Sequence, residues 1–224
     1  MGMSYIGHGV YSFPEAARLL KLPVATLRTW LLGVPGREPV TPGDYLQTRH
    51  DQKILSFLDV MDTFIIKGLR EYKVSLQYLR KVRDALAHDL STEHPFSSRR
   101  LLTDGRQVFI HFADEFGGEK LKEVLTRQHA FPSVLVPYLK QIAHDERTDL
   151  ARCWNISRGV VIDPTRAFGK PIVASTGIPT GILAAAFEAN DEDAELVADW
   201  YGVDVQEVRH AVAFEESLKE ATAA

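Results

Sequence analysis

The chain has 224 residues, of which 45% are hydrophobic and 25% charged, and a formal net charge of −4. That is enough for one large domain or two to three small ones of ordinary soluble composition, and no apolar run approaches the roughly 18 residues that a bilayer span needs. Cys153 is the only cysteine, which excludes an intrachain disulfide and suits a reducing compartment.

The start, Met1-Gly2-Met3-Ser4-Tyr5, has neither the basic n-region nor the apolar core of a signal peptide, so a cytoplasmic protein is expected. Ser12-Phe13-Pro14-Glu15 opens the first predicted helix: Ser12 as N-cap, Glu15 at the capping-box position, Pro14 tolerated in the first turn. Ala16, Leu19 and Leu20 form its apolar face, and Lys21-Leu22-Pro23 ends it. A second helix follows with Val24, Leu27 and Leu31 on one side. The Gly- and Pro-rich stretch 33–43 reads as loop.

Ser56, with Asp59 at the box position, starts a strong helix on Leu58, Met61, Ile65, Leu69 and Tyr72. Lys73-Val74 turns, and Ser75 caps a helix through Leu76, Leu79, Val82 and Leu86. Residues 89–100 read as a polar loop. Around Asp104-Gly105, a favoured two-residue turn, residues 101–112 read as a hairpin. Helices are predicted near 117–128 and 132–145, and short strands at 159–162 and 171–173. Three helical signals close the chain. Thr180 caps the first, through Ile182, Leu183, Ala186 and Phe187. Asn190 caps the second, with Asp193 at the box position and Leu196, Val197, Trp200 and Tyr201 as apolar set. Asp204 and Glu207 form a capping box for the third.

Charge is unevenly shared. Residues 1–100 hold 14 Lys/Arg and 10 Asp/Glu, a net of +4; residues 101–224 hold 12 and 20, a net of −8. The basic half suits phosphates and the acidic half a basic protein surface, unless both are simply solvated faces.

The two helices of residues 12–32, with a tight turn between them, have the form of a helix-turn-helix. Leu27 and Leu31 point inward on the second helix, leaving Ala25, Thr26, Arg28 and Thr29 outward. Small and hydroxyl side chains allow close approach to a groove, and Arg28 can reach a phosphate or a guanine edge. Arg18, Lys21, Arg37 and Arg49 would add phosphate contacts. The alternative is a small helical bundle without nucleic acid.

The run Phe13-Pro14-Glu15-Ala16-Ala17-Arg18-Leu19-Leu20, then Val24-Ala25-Thr26-Leu27-Arg28-Thr29-Trp30, resembles the opening of a MerR-type regulator. The stretch from Phe64 to Val82 is similar to that family's second helix pair. The resemblance covers about residues 9–86 and implies a winged helix-turn-helix. Two departures stand out: a proline-rich wing, and the break at 89–100 where the family continues into a long dimerising helix.

A second resemblance lies at Val160-Val161-Ile162-Asp163-Pro164, Phe168-Gly169-Lys170-Pro171-Ile172-Val173 and Ser175-Thr176-Gly177-Ile178-Pro179-Thr180. This is similar to the small DUF433 module, over about residues 155–218. Gly177 stands where that family carries an arginine. Two strands and three helices imply a compact homeodomain-like module. Its acidity argues against DNA: residues 186–220 hold 11 acidic residues against Arg209 and Lys219, a net of −9.

The expected fold is therefore mainly α with small β elements. A MerR-like winged helix-turn-helix occupies residues 1–90, a linking region with a hairpin and helices 91–153, and a partner-binding DUF433 module 154–224. Proteins that join these two parts resemble VapB-type antitoxins. The resemblance implies an autorepressor that binds operator DNA and neutralises a PIN-domain toxin ribonuclease. A homodimer is expected, with Asp193, Glu195 and Asp199 meeting the toxin's basic surface. The alternative is a ligand-responsive MerR-like regulator without a toxin partner, sensing through residues 101–155. An apolar cavity with a few polar groups there would mark it.

No catalytic residue, metal or cofactor is expected. Gly169-Lys170 lacks the spacing of a phosphate loop, since Pro164 stands at the required glycine and Pro171 follows the lysine. Asp191, Asp193, Glu195 and Asp199 read as a solvated, capping face rather than a nuclease centre. The eight histidines show no HxH or HExxH spacing. Cys153, beside Trp154, reads as a packed, inert thiol.

Overall fold

The computed structural model describes residues 7–43, 46–47, 53–101, 109 and 130–223. The predicted hairpin at 101–112 and helix at 117–128 fall almost wholly outside them. Within the described residues the chain is helix-rich, with a two-stranded ladder and a small four-stranded antiparallel sheet.

Helices α1 (Phe13–Leu20) and α2 (Val24–Leu32) are joined by three residues. Both halves of the Ser12–Glu15 capping box are made: the Ser12 N–H donates to Glu15 Oε2 at 2.8 Å, and the Glu15 N–H to Ser12 Oγ at 3.3 Å. Lys21 adopts the left-handed conformation and closes α1, its N–H reaching the Ala17 and Arg18 carbonyls. A two-residue antiparallel ladder follows, β1 (Leu46–Gln47) on β2 (Lys53–Ile54). Just before α1 and just after β2, Tyr11 and Leu55 exchange backbone hydrogen bonds at 3.0 and 2.8 Å.

Helix α3 (Phe57–Glu71) starts on the second predicted capping box, Ser56 with Asp59. It is buried on nearly every side. Helix α4 (Leu76–Leu90) is capped by Ser75 and buries Leu79, Val82 and Leu86. The segment after it departs from the polar loop expected at 89–100. His94, Pro95, Phe96, Ser97 and Ser98 are all buried. They are held by Asp62 of α3, whose Oδ1 accepts the Ser97 N–H at 2.7 Å and whose Oδ2 meets His94 Nδ1 at 3.1 Å. A buried carboxylate thus satisfies backbone that a polar loop would have left to water.

Helix α5 spans Ala130–Leu139, and the chain then turns into a four-stranded antiparallel sheet: β3 (Ile142–His144), β4 (Ala151–Ser157), β5 (Val160–Ile162) and β6 (Pro171–Val173). Strands β5 and β6 match the prediction closely. The predicted helix at 132–145 ends early, because Ile142 and Ala143 pair with Trp154 and Cys153 of β4. The unpredicted strand β4 buries Trp154 against Phe64 of α3, ring centroids 4.6 Å apart.

Helices α6 (Thr180–Ala189), α7 (Ala194–Tyr201) and α8 (Val205–Ala223) complete the fold. The cap of α7 is Asp193, which accepts the Glu195 and Leu196 N–H groups at 3.0 Å each. Asn190, expected as that cap, instead ends α6, and its amide donates to the Ala186 carbonyl at 2.7 Å. Val173, Leu183, Ala194, Val197, Ala198, Val208 and Ala211 form a small core of their own. Phe214 and Leu218, further along α8, belong instead to the main core, with residues of α1, α3, α4 and the sheet. Helix α8 therefore ties the C-terminal helices to the N-terminal ones through shared apolar burial.

Candidate nucleic-acid and protein interfaces

Two exposed helix faces of opposite character stand out. The first is on α2. Leu27 and Leu31 are fully buried, which turns Ala25 and Arg28 to solvent and leaves Thr26 and Thr29 half-buried. The Thr29 hydroxyl donates to the Ala25 carbonyl at 2.9 Å. Its donor is spent on the helix, and its oxygen remains an acceptor. The Arg28 guanidinium lies 5.1 Å from the ring centroid of Phe13, the first residue of α1, an arrangement that restrains it without removing its charge.

Arg18, Lys21 and Arg37 are all exposed. Arg18 stands in the last turn of α1 and Lys21 at its cap, while Arg37 closes a tight turn with Val34 through two backbone bonds of 2.8 and 3.1 Å. Arg49 lies outside the described residues. The small side chain of Ala25, the hydroxyls of Thr26 and Thr29 and the cation of Arg28 thus share one short helix.

The second face is on α7. Ala194, Val197 and Ala198 turn inward, and Asp193, Glu195 and Asp199 are exposed. Asp193 is committed to the cap. Other acids of the region also have structural work: Glu215 accepts the Thr180 hydroxyl at 2.5 Å, Glu207 accepts the Ser175 hydroxyl, and Glu188 pairs with Lys219. Trp200, read from the sequence as part of the apolar set, is 61% exposed, and Leu196, one turn earlier, is 37% exposed.

Sequence reasoning also missed how the two regions join. The Tyr11 hydroxyl donates to the Gly169 carbonyl at 2.8 Å in a buried contact, and the Val10 N–H reaches the Phe168 carbonyl at 3.3 Å. Burial pushes the Tyr11 phenol well above its ordinary range, with the nearby Asp163 and Glu15 charges adding to it. Gly169 has φ +80°, and a Cβ there would stand 2.2 Å from the Tyr11 hydroxyl. Gly177, also at φ +80°, leaves space that the Arg166 guanidinium fills: a Cβ would meet Arg166 Nη2 at 2.2 Å. The Arg166 guanidinium thus lies directly against the Gly177 backbone.

An open cleft of about 450 Å³ is lined by His144, Asp145, Glu146, Arg147 and Arg152. Burial lowers the His144 pKa, Arg99 adding to the effect. Among the described residues no group of three or more His, Cys, Asp or Glu could hold a metal ion, and no helix is long and apolar enough to cross a membrane.

The family described as "Protein of unknown function (DUF433)" matches residues 160–214, within the span read from the sequence. Over nearly its whole length the chain is similar to a protein named as an antitoxin. That relative, "Putative antitoxin VapB45" of Mycobacterium tuberculosis (strain H37Rv), is 28% identical over 222 residues, which cover 91% of this chain and 92% of the relative. The crystal structure of Rv2018 from Mycobacterium tuberculosis superposes with a TM-score of 0.75 at 27% identity, covering 90% of this chain and 96% of that one. The shared arrangement therefore includes the N-terminal helices as well as the DUF433 segment.

Proposed function

We propose that this protein is a non-enzymatic antitoxin that binds its own operator DNA through α2 and neutralises a PIN-domain toxin ribonuclease through α7. The observation that carries the reading is the end-to-end likeness to an antitoxin-named relative, 91% of one chain on 92% of the other. We read α1, α2 and the β1–β2 ladder as a MerR-like winged helix-turn-helix, with α2 in the major groove. Arg28 would read a base edge there, and Arg18, Lys21, Arg37 and Arg49 would hold phosphates. A homodimer would set two such helices about one helical turn of DNA apart. The homeodomain-like helices α6 to α8 supply the toxin-binding face, in which Asp193, Glu195 and Asp199 meet cations that otherwise attract RNA. This reading places the protein in the cytoplasm. The ligand-sensing alternative gains little support from the cleft at His144, which is open and lined by charge rather than enclosed and apolar.

The test is co-expression with the product of the neighbouring gene, which this reading expects to be a PIN-domain ribonuclease. The pair should co-purify, growth inhibition by the toxin should be relieved, and the complex should shift its own promoter fragment in a gel. A toxin that remains fully active and unbound in the presence of folded antitoxin refutes the assignment.

A further inference from the structure

We infer that Leu196 and Trp200 form the apolar anchor of the partner-binding face, seating α7 in an apolar groove rimmed by Lys and Arg on the partner protein. The inference rests on the proposed antitoxin reading and names the contact that would give it affinity.

Helix α7 lies against its neighbours through Ala194, Val197 and Ala198, two of them alanines. Small inward residues bring the helix close and leave no room for bulky ones, so the large residues are turned out. Leu196 and Trp200 are four residues apart and share one face. An indole 61% exposed has no role in this core. Large aromatic side chains placed in a partner's pocket are the commonest carriers of binding energy, and an amphipathic helix reads out through i and i+4 anchors.

Charge selects the occupant. Glu195 and Asp199 are also four residues apart, so an acidic stripe runs directly beside the apolar one, and exposed Asp191 and Glu192 stand in the turn before the helix. Of the two bases in residues 186–220, Lys219 is paired with Glu188. Such a surface repels nucleic acid. A second copy meeting it face to face would set like charges against each other. A convex helix face offers no enclosure for a small molecule. A basic protein surface with an apolar groove matches both stripes at once.

The experiment uses the full chain and the product of the neighbouring gene, the toxin that the antitoxin reading expects. Trp30 and Trp154 are 7% and 2% exposed, so Trp200 dominates collisional quenching of tryptophan fluorescence by acrylamide. Complex formation should protect it, read with a tryptophan-free toxin variant. Trp200→Ala should weaken binding at least about thirty-fold, through faster dissociation, and Leu196→Ala should weaken it less. Melting temperatures should be nearly unchanged, and Trp200→Phe, which keeps an aromatic anchor, should bind more tightly than Trp200→Ala. Wild-type protein that binds the toxin while Trp200 stays quenchable and Trp200→Ala binds normally overturns this inference and leaves the antitoxin reading intact. Wild-type protein that does not bind the toxin overturns that reading and this inference with it. Protection of Trp200 by self-association, lost together with the dimer in Trp200→Ala, would make the occupant a second copy and overturn the proposal.

Discussion

Helices α2 and α7 are nearly the same length, nine and eight residues, and each follows a tight turn after another short helix. Their outward faces nevertheless have opposite chemistry. Helix α2 buries Leu27, Trp30 and Leu31 and shows Ala25, Arg28 and parts of two threonines. Helix α7 buries alanines and a valine and shows Glu195, Leu196, Asp199 and Trp200. The lesson is that inward side-chain size decides what is left for the surface. Large inward residues permit a small, polar outer face suited to a groove in DNA. Small inward residues leave large ones outside, exposed to solvent.

The core that α8 shares with α1 should make the two faces parts of one cooperative body. Phe214, buried at 4% in the core shared with α1, should cost about 3–5 kcal/mol when replaced by alanine. Near-ultraviolet circular dichroism and fluorescence should then show one coincident urea transition at lower midpoint. Two separated transitions would mean that the faces fold independently.

The Tyr11–Gly169 contact makes a smaller break at the junction itself. Gly169→Val combines a left-handed backbone with a clash against Tyr11, each costing about 1–3 kcal/mol, so urea denaturation should show a loss of several kcal/mol. Tyr11→Phe removes one buried hydrogen bond but leaves the Gly169 carbonyl unsatisfied, and should cost about 1–3 kcal/mol. Equal stability of Gly169→Val and wild type would show that the junction is loose.

Arg28→Ala probes the first face. Promoter affinity should fall by about 1–3 kcal/mol if the arginine reads a base, in a gel titration at fixed salt. The fold should lose only the exposed contact with Phe13, about 0.5–1 kcal/mol.

Cys153 is a control that should leave both faces untouched. Burial raises its pKa, with Asp163 adding to the shift, so less thiolate is present at neutral pH. Iodoacetamide should alkylate the folded protein much more slowly than the urea-unfolded one, and rapid alkylation in the folded state would contradict the packing of β4.

Three helix starts were legible because capping is local: Ser12 with Glu15, Ser56 with Asp59, and Asp204 with Glu207 all act within three residues; Thr180, expected as a cap, instead lies inside α6 behind Pro179, and its hydroxyl donates to Glu215. The predicted outward set on α2 was legible for a related reason, since Leu27 and Leu31 are its only strong inward anchors apart from Trp30. Other features depend on distant partners. Strand β4 has no clean alternation, and Ile142 continues the helical spacing of Leu135 and Leu139 until pairing with Trp154 draws it into the sheet. The burial of residues 94–98 depends on Asp62, more than thirty positions earlier. On α7, Leu196, Val197, Trp200 and Tyr201 read as one apolar set. Only the close packing permitted by Ala194 and Ala198 reveals that Trp200 faces out.

On the proposed reading, DNA and toxin use different faces of one protein. Two full-length variants, Arg28→Ala and the triple neutralisation Asp193→Asn, Glu195→Gln, Asp199→Asn, separate them. The triple variant keeps a capping side chain, because asparagine caps a helix as well as aspartate does. Both should be measured side by side for promoter affinity and for toxin association rate at two salt concentrations. Arg28→Ala should lose promoter affinity and associate with toxin normally. The triple variant should bind promoter at least as well as wild type, associate with toxin more slowly and show less salt dependence, because steering acts mainly on the on-rate. If either variant, still folded, fails in both assays, or if the triple neutralisation leaves the association rates unchanged, the assignment of the two faces is wrong.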